Sequence, residues 1–310
     1  MTEDVGIAFQ PSAVRGFMCM SDSHATTMKI HDALDGFILQ MKANGRCVHT
    51  LGQYRRHVSL LASWLTPQDD LRQIDHQVIA RFLASPAAIL CAANGKPRKA
   101  TSGNALRGSI KGFFAYLAGA GILDRDPSRL VRRARCGQPM PKAISREDQE
   151  RLLHVLGQAR DAEGQRDHVL FSLMLGTGIR VGSAVALDVE DVDLDGGILW
   201  LRRAKGDRSE RVFMPKGIVS LLRSYLAGRP SGPLFHSRNS SRITTRHAGR
   251  RLKMWLRAAR IDQKVSPHSL RHSFATDLYR KTGDVGLVKE ALTHRSIAST
   301  IIYARVAPDR

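Results

Sequence analysis

The chain has 310 residues, with 48 Lys and Arg against 28 Asp and Glu and a formal charge of +20. That excess makes a polyanion the expected partner, nucleic acid before a membrane surface. The start Met1-Thr2-Glu3-Asp4 lacks a basic n-region and an apolar core, and no apolar run approaches the ~20 residues of a membrane span, so a cytoplasmic location is expected.

Length allows two domains with separate cores. Cys19, Cys47, Cys91 and Cys136 are scattered without CxxC spacing and suggest neither a zinc site nor a disulfide framework. Residues 1–24 show no sustained periodicity and are expected to form a mobile N-terminal arm. Ile30, Leu34, Phe37, Ile38 and Met41 recur at helical spacing until Asn44-Gly45. A second stripe, Leu51, Tyr54, Val58, Leu61 and Leu65, is closed by Thr66-Pro67. A short third helix is predicted around Val78 to Leu83, and a fourth carries Leu106, Ile110, Phe113, Phe114 and Leu117 to about Gly119.

One apolar face on each helix predicts a small bundle over residues 25–128. Arg55, Arg56, Arg107 and Lys111 lie on the opposite faces, and Lys96, Arg98 and Lys99 lie in the loop before the fourth helix. With the net charge they are candidate phosphate contacts. Residues 129–143 carry Arg129, Arg132, Arg133 and Arg135 with little apolar periodicity and predict a basic linker.

Ser145 with Asp148 three residues on predicts a cap that opens the second domain, residues 144–310. An apolar helix from Val169 to Leu175 stops at Gly176-Thr177-Gly178, and Arg180 stands where the next helix begins. Strands at Ile198–Leu201 and Arg211–Met214 flank a turn at Lys205-Gly206-Asp207. Helices are predicted at 216–227, about 245–259, 269–281, 285–292 and 297–303.

The last stretch concentrates the chemistry. His268, Arg271 and His272 share one predicted helix, Leu292-Thr293-His294 follows, and Tyr303 stands nine residues beyond His294. Two arginines match phosphate oxygens in bidentate fashion and cannot lose their charge, a histidine titrates near neutrality, and a phenol is a nucleophile once cations favour its ionised form. Such a set suits chemistry at a phosphodiester. His268 and Arg271, three apart, are expected to face one phosphate, whereas His272, one position further round, is expected to pack or buttress.

The order Arg180, Lys205, His268-x-x-Arg271-His272, Leu292-Thr293-His294, Tyr303 resembles the tyrosine recombinase (phage integrase) family. The resemblance implies a mainly α fold with a small β-sheet, made of an N-terminal helical core-binding (SAM-like) bundle and a C-terminal tyrosine recombinase catalytic domain. It implies cutting and rejoining of double-stranded DNA at specific sites through a 3′-phosphotyrosine intermediate, with no metal and no cofactor. In that frame Tyr303 is the nucleophile, Arg180 and Arg271 hold the phosphate, His268 gives general acid/base help or a hydrogen bond to a phosphate oxygen, His294 orients the phosphate, and Lys205 protonates the leaving oxygen.

Two positions depart from the pattern. Ser183 stands where the family commonly has an acidic residue three after the first arginine, and Thr293 stands where Leu-Gly-His has glycine. A type IB-like topoisomerase and a non-catalytic DNA-binding relative remain as alternatives. Seven residues follow Tyr303, fewer than the roughly 12–15 an isolated helix needs. Self-association on DNA, expected as a tetrameric synapse, is therefore assigned to the N-terminal bundle or to a companion recombinase.

Overall fold

The computed structural model describes residues 29–66, 70–137, 140, 142–201, 210–293 and 300–304. The expected mobile arm at residues 1–24, the tip of the hairpin and most of the tail after Tyr303 lie outside them. The chain divides into two compact units, Met1–Gly137 and Gln138–Arg310. The secondary structure is mainly helical with one small sheet, as the periodicities predict.

In the first unit α1 (Ile30–Ala43), α2 (Val48–Trp64), α3 (His76–Ala84) and α5 (Ala100–Gly119) are the predicted stripes, and α4 (Pro86–Ile89) is a single turn beside them. Phe37, Phe82, Ile110, Phe113 and Phe114 are fully buried where these helices meet. Phe37 and Phe113 meet edge-on at 5.6 Å, the arrangement aromatic quadrupoles prefer. The Asp75 carboxylate caps α3 by accepting from Val78 N–H at 2.9 Å.

Part of the basic segment after α5 is held by that helix. Buried Asn104 donates to Ala134 O at 2.9 Å and accepts from Ala134 N–H at 2.8 Å, and Lys111 Nζ donates to Val131 O at 3.2 Å.

In the second unit α7 (Ala162–Thr177) is buried on nearly every side, and α6 (Arg146–Gly157), α9 (Lys216–Leu226), α10 (Thr245–Ala258) and α11 (Pro267–Thr282) pack around it. A helix surrounded in this way needs apolar residues all round, which Leu170, Phe171, Leu173 and Met174 supply. Its polar first turns were invisible as an apolar stripe, so the predicted start at Val169 was late. Ser145 caps α6 as predicted, accepting from Asp148 N–H at 3.1 Å. The short α8 (Val181–Ala186) begins directly after Arg180.

A three-stranded antiparallel sheet has the order β1 (Val192–Asp193), β2 (Ile198–Leu201), β3 (Glu210–Phe213), with Ile198 opposite Phe213 and Leu201 opposite Glu210. The two strands of the predicted hairpin pair antiparallel, its turn lies outside the described residues, and β1 is an addition too short to show a period of two. α12 (Val285–Ala291) and α13 (Ile301–Ala304) complete the unit. No described helix is long and apolar enough to cross a membrane.

Candidate active site

The site is built where α7, α8, α11, α12 and α13 come together. α7 terminates at Gly178, whose φ of +65° is left-handed. A Cβ added there would stand 2.3 Å from the Phe274 ring, so glycine is required twice over. The freed Gly178 carbonyl accepts from Arg271 Nη1 at 2.7 Å, and the Leu292 carbonyl at the end of α12 accepts from Nη2 at 2.6 Å. Arg271 is thus pinned on both sides and only 3 % exposed.

Arg180, exposed at the start of α8, lines with Arg271 one small cavity of about 50 Å³, together with Ser183, Glu210 and Thr293. Burial, and then the Arg180 guanidinium, pull Arg271 down to about 10. The serine that replaces the family's acidic residue therefore lies in this cavity, and Glu210 lines it from β3.

α11 starts at Pro267, two residues earlier than predicted, because Ser266 and Ser269 form a reciprocal cap and proline suits the first helical position. His268 and His272, four apart and so on one face, bring their rings to 4.5 Å edge-on. Tyr303 on α13 packs against Ala275, Val288 and Leu292 and is 2 % exposed. Its hydroxyl lies 2.8 Å from His272 Nδ1.

His272, expected to pack or buttress, touches the hydroxyl of the candidate nucleophile. Its signal was available in the spacing from His268, whereas comparison with neighbouring Arg271 pointed it away.

Burial, then His268 and Arg271, lower His272 to about 4. His268 is lowered in turn by burial, Arg271 and Arg180. Burial raises the Tyr303 phenol against the opposing pull of Arg271 and Arg180. Both imidazoles are therefore neutral at pH 7 and the phenol keeps its proton.

Lys205 and His294 lie outside the described residues. Thr293, immediately before His294, has φ +51°. Among the described residues no cluster of three or more His, Cys, Asp or Glu is arranged to hold a metal ion.

The seven candidate phosphate-contacting residues of the first unit fall into two groups. The Arg98 guanidinium donates to Ala88 O at 3.0 Å and to Leu90 O at 3.1 Å, Lys111 holds Val131, and Arg55 pairs with Asp35 at 2.9 Å. Arg56, Lys96 and Lys99 are exposed, and Arg107 is half-buried.

Comparison with known proteins follows this division. The phage integrase family matches residues 142–310, and the phage integrase N-terminal SAM-like domain matches residues 34–121. A tyrosine recombinase XerD of Pseudomonas putida is 36% identical over 211 residues, 65% of this chain and 70% of that protein. A tyrosine recombinase XerC of Neisseria gonorrhoeae is 28% identical over 282 residues, 88% of this chain and 90% of that one. A solved structure of a lambda integrase tetramer bound to a Holliday junction superposes with TM-score 0.67 at 17% identity, covering 87% of this chain and 78% of that one, and so shares the fold. The chain belongs to the phage integrase family, the tyrosine-type site-specific DNA recombinases.

Proposed function

We propose that Tyr303 attacks the phosphorus of a DNA phosphodiester, displacing the 5′ oxygen and leaving a 3′-phosphotyrosyl link that a second 5′-hydroxyl resolves. The observation that supports this most directly is the convergence of Arg180 and Arg271 on one cavity while the Tyr303 hydroxyl rests on the residue next to Arg271. Two fixed guanidinium groups answer the charge that develops on the non-bridging oxygens, at no reorganisation cost when one is pinned in advance. His268 donates a hydrogen bond to the same phosphate, His294 takes the third position around it, and Lys205 protonates the leaving oxygen. The bond energy is conserved in the phosphotyrosine, so the exchange needs no nucleotide.

DNA contact outside the site is assigned to the first unit, with the exposed Arg56, Lys96 and Lys99 and half-buried Arg107 the better candidates. Arg55, Arg98 and Lys111 have protein partners to give up first. The domain reading divides the chain into residues 1–24 as an arm, 25–128 as the core-binding bundle, 129–143 as linker and 144–310 as the catalytic domain. Assembly of several protomers on paired sites, four as in the lambda integrase complex, completes strand exchange, either among copies of this chain or with a companion recombinase.

The test is trapping. A pool of nicked duplexes with a randomised core is incubated with the protein, and SDS-resistant adducts are recovered and sequenced. Wild-type protein should form an adduct that maps to Tyr303. Tyr303→Phe should bind the recovered duplex equally well and form none; a persistent adduct would remove Tyr303 from the role.

A further inference from the structure

We propose that His272 is the catalytic residue that takes the phenolic proton from Tyr303 as its oxygen attacks phosphorus, an inference that rests on Tyr303 being the nucleophile. The contact is direct, since His272 Nδ1 and the Tyr303 hydroxyl are 2.8 Å apart. Within such a pair the phenol is the stronger donor and the imidazole nitrogen the stronger acceptor. The proton therefore sits on the tyrosine oxygen and points at Nδ1, while the ring's own proton occupies Nε2.

The surroundings suit a base that works only when substrate is present. Burial, the His268 ring and the Arg271 guanidinium keep His272 neutral, with its acceptor nitrogen free of a proton well below neutral pH. They also keep it a weak base, so Tyr303 is not ionised in the resting protein. A phosphodiester entering beside Arg180 and Arg271 brings negative charge that offsets the guanidinium fields, and the ring becomes more basic at the moment it is needed. His268, edge-on at 4.5 Å, remains available to the phosphate.

The step balances. The bond from the tyrosine oxygen to phosphorus forms, the bond from phosphorus to the 5′ oxygen breaks, and the phenolic proton moves to Nδ1. The leaving oxygen departs with the proton assigned to Lys205. On rejoining, the 5′-hydroxyl attacks, and the departing tyrosine oxygen recovers its proton from His272.

Two substrates built on the duplex recovered by trapping separate this role from a structural one. The first is the nicked duplex itself, cleaved by Tyr303. The second carries a 3′-p-nitrophenyl phosphate ester facing a 5′-hydroxyl; its joining uses the phosphate-binding cations but neither Tyr303 nor a proton on the leaving phenol. His272→Gln, which keeps a polar side chain that cannot act as a base, and His272→Ala should both cut the first substrate about 10²–10⁴-fold more slowly. Both should join the second within a few-fold of wild type, as Tyr303→Phe should. Cleavage within a few-fold of wild type, or faster cleavage as expected of a latch, would overturn the proposal. So would parallel loss of both reactions, which would place His272 in the architecture of the site. An adduct formed by Tyr303→Phe would instead bring down the nucleophile assignment, leaving the two failures distinguishable.

Discussion

At Thr293 the chain departs from its family's glycine, and the backbone shows the cost. A φ of +51° is where a β-branched residue fits worst, a conformation that costs an L-residue roughly 1–2 kcal/mol. Glycine would relieve that strain while losing about 0.4–1 kcal/mol to a freer unfolded chain. Thr293→Gly is therefore expected to raise unfolding free energy by about 0.5–1 kcal/mol in a denaturant titration, and a loss of stability would contradict the strain. Because Thr293 lines the cavity with Arg180 and Arg271, the same variant reports whether strain there is tied to cleavage rate. The sequence made the oddity of Thr293 legible and not its reason, which is a dihedral angle. His272 is the complementary case: its residue type was in view, and its partner Tyr303 stands 31 positions away.

Among the elements, α7 carries the most. Asp167, fully buried, accepts from Arg166 Nη2 at 2.7 Å, from Trp255 Nε1 at 2.8 Å and from Arg251 Nε, tying α7 to α10. Arg166, 2 % exposed, also donates to His236 O at 3.0 Å. Asp167→Ala leaves a buried guanidinium without its counter-charge, a loss expected to cost about 3–5 kcal/mol. Replacing both members with apolar residues of similar volume should cost much less, and equal losses in the two variants would contradict an ion-pair origin. Stripes such as Leu106-Ile110-Phe113-Phe114-Leu117 were readable because each helix buries one face. Arg166 and Asp167 were not, because a charged pair interrupts the apolar pattern and its partners come from α10. α4 and β1 were missed because four residues and two residues are too short for a period to register.

Over the whole molecule, acid should weaken the fold. His57, His168, His247, His268 and His272 all lie below 6.5, with burial the leading cause in each. Between the folded values and 6.5 the unfolded chain binds more protons, so the stability they contribute is complete above pH 6.5 and is lost as pH falls through the folded values. The melting temperature is expected to fall from pH 7 towards pH 4, less steeply in His272→Gln. A flat profile would contradict the shared direction of these shifts.

The positive charge makes a second molecule-wide prediction. The logarithm of DNA affinity should fall linearly with the logarithm of salt concentration, and replacing exposed Arg56 and Lys99 by Ala should reduce the slope by roughly 2. An unchanged slope would move the contacts elsewhere.

Tyr303 brings the scales together. It is 2 % exposed, and its four-residue helix α13 packs against α11 and α12 through that ring and Ile302. With Tyr303 as the proposed nucleophile, phosphate esters that drift past the free protein meet exposed Arg180 before they meet the phenol. On that proposal, the frequency of mistaken nicks is expected to rise with how often the phenol is uncovered. A mutation that loosens Val288 or Leu292 would make the enzyme careless before it made it slow.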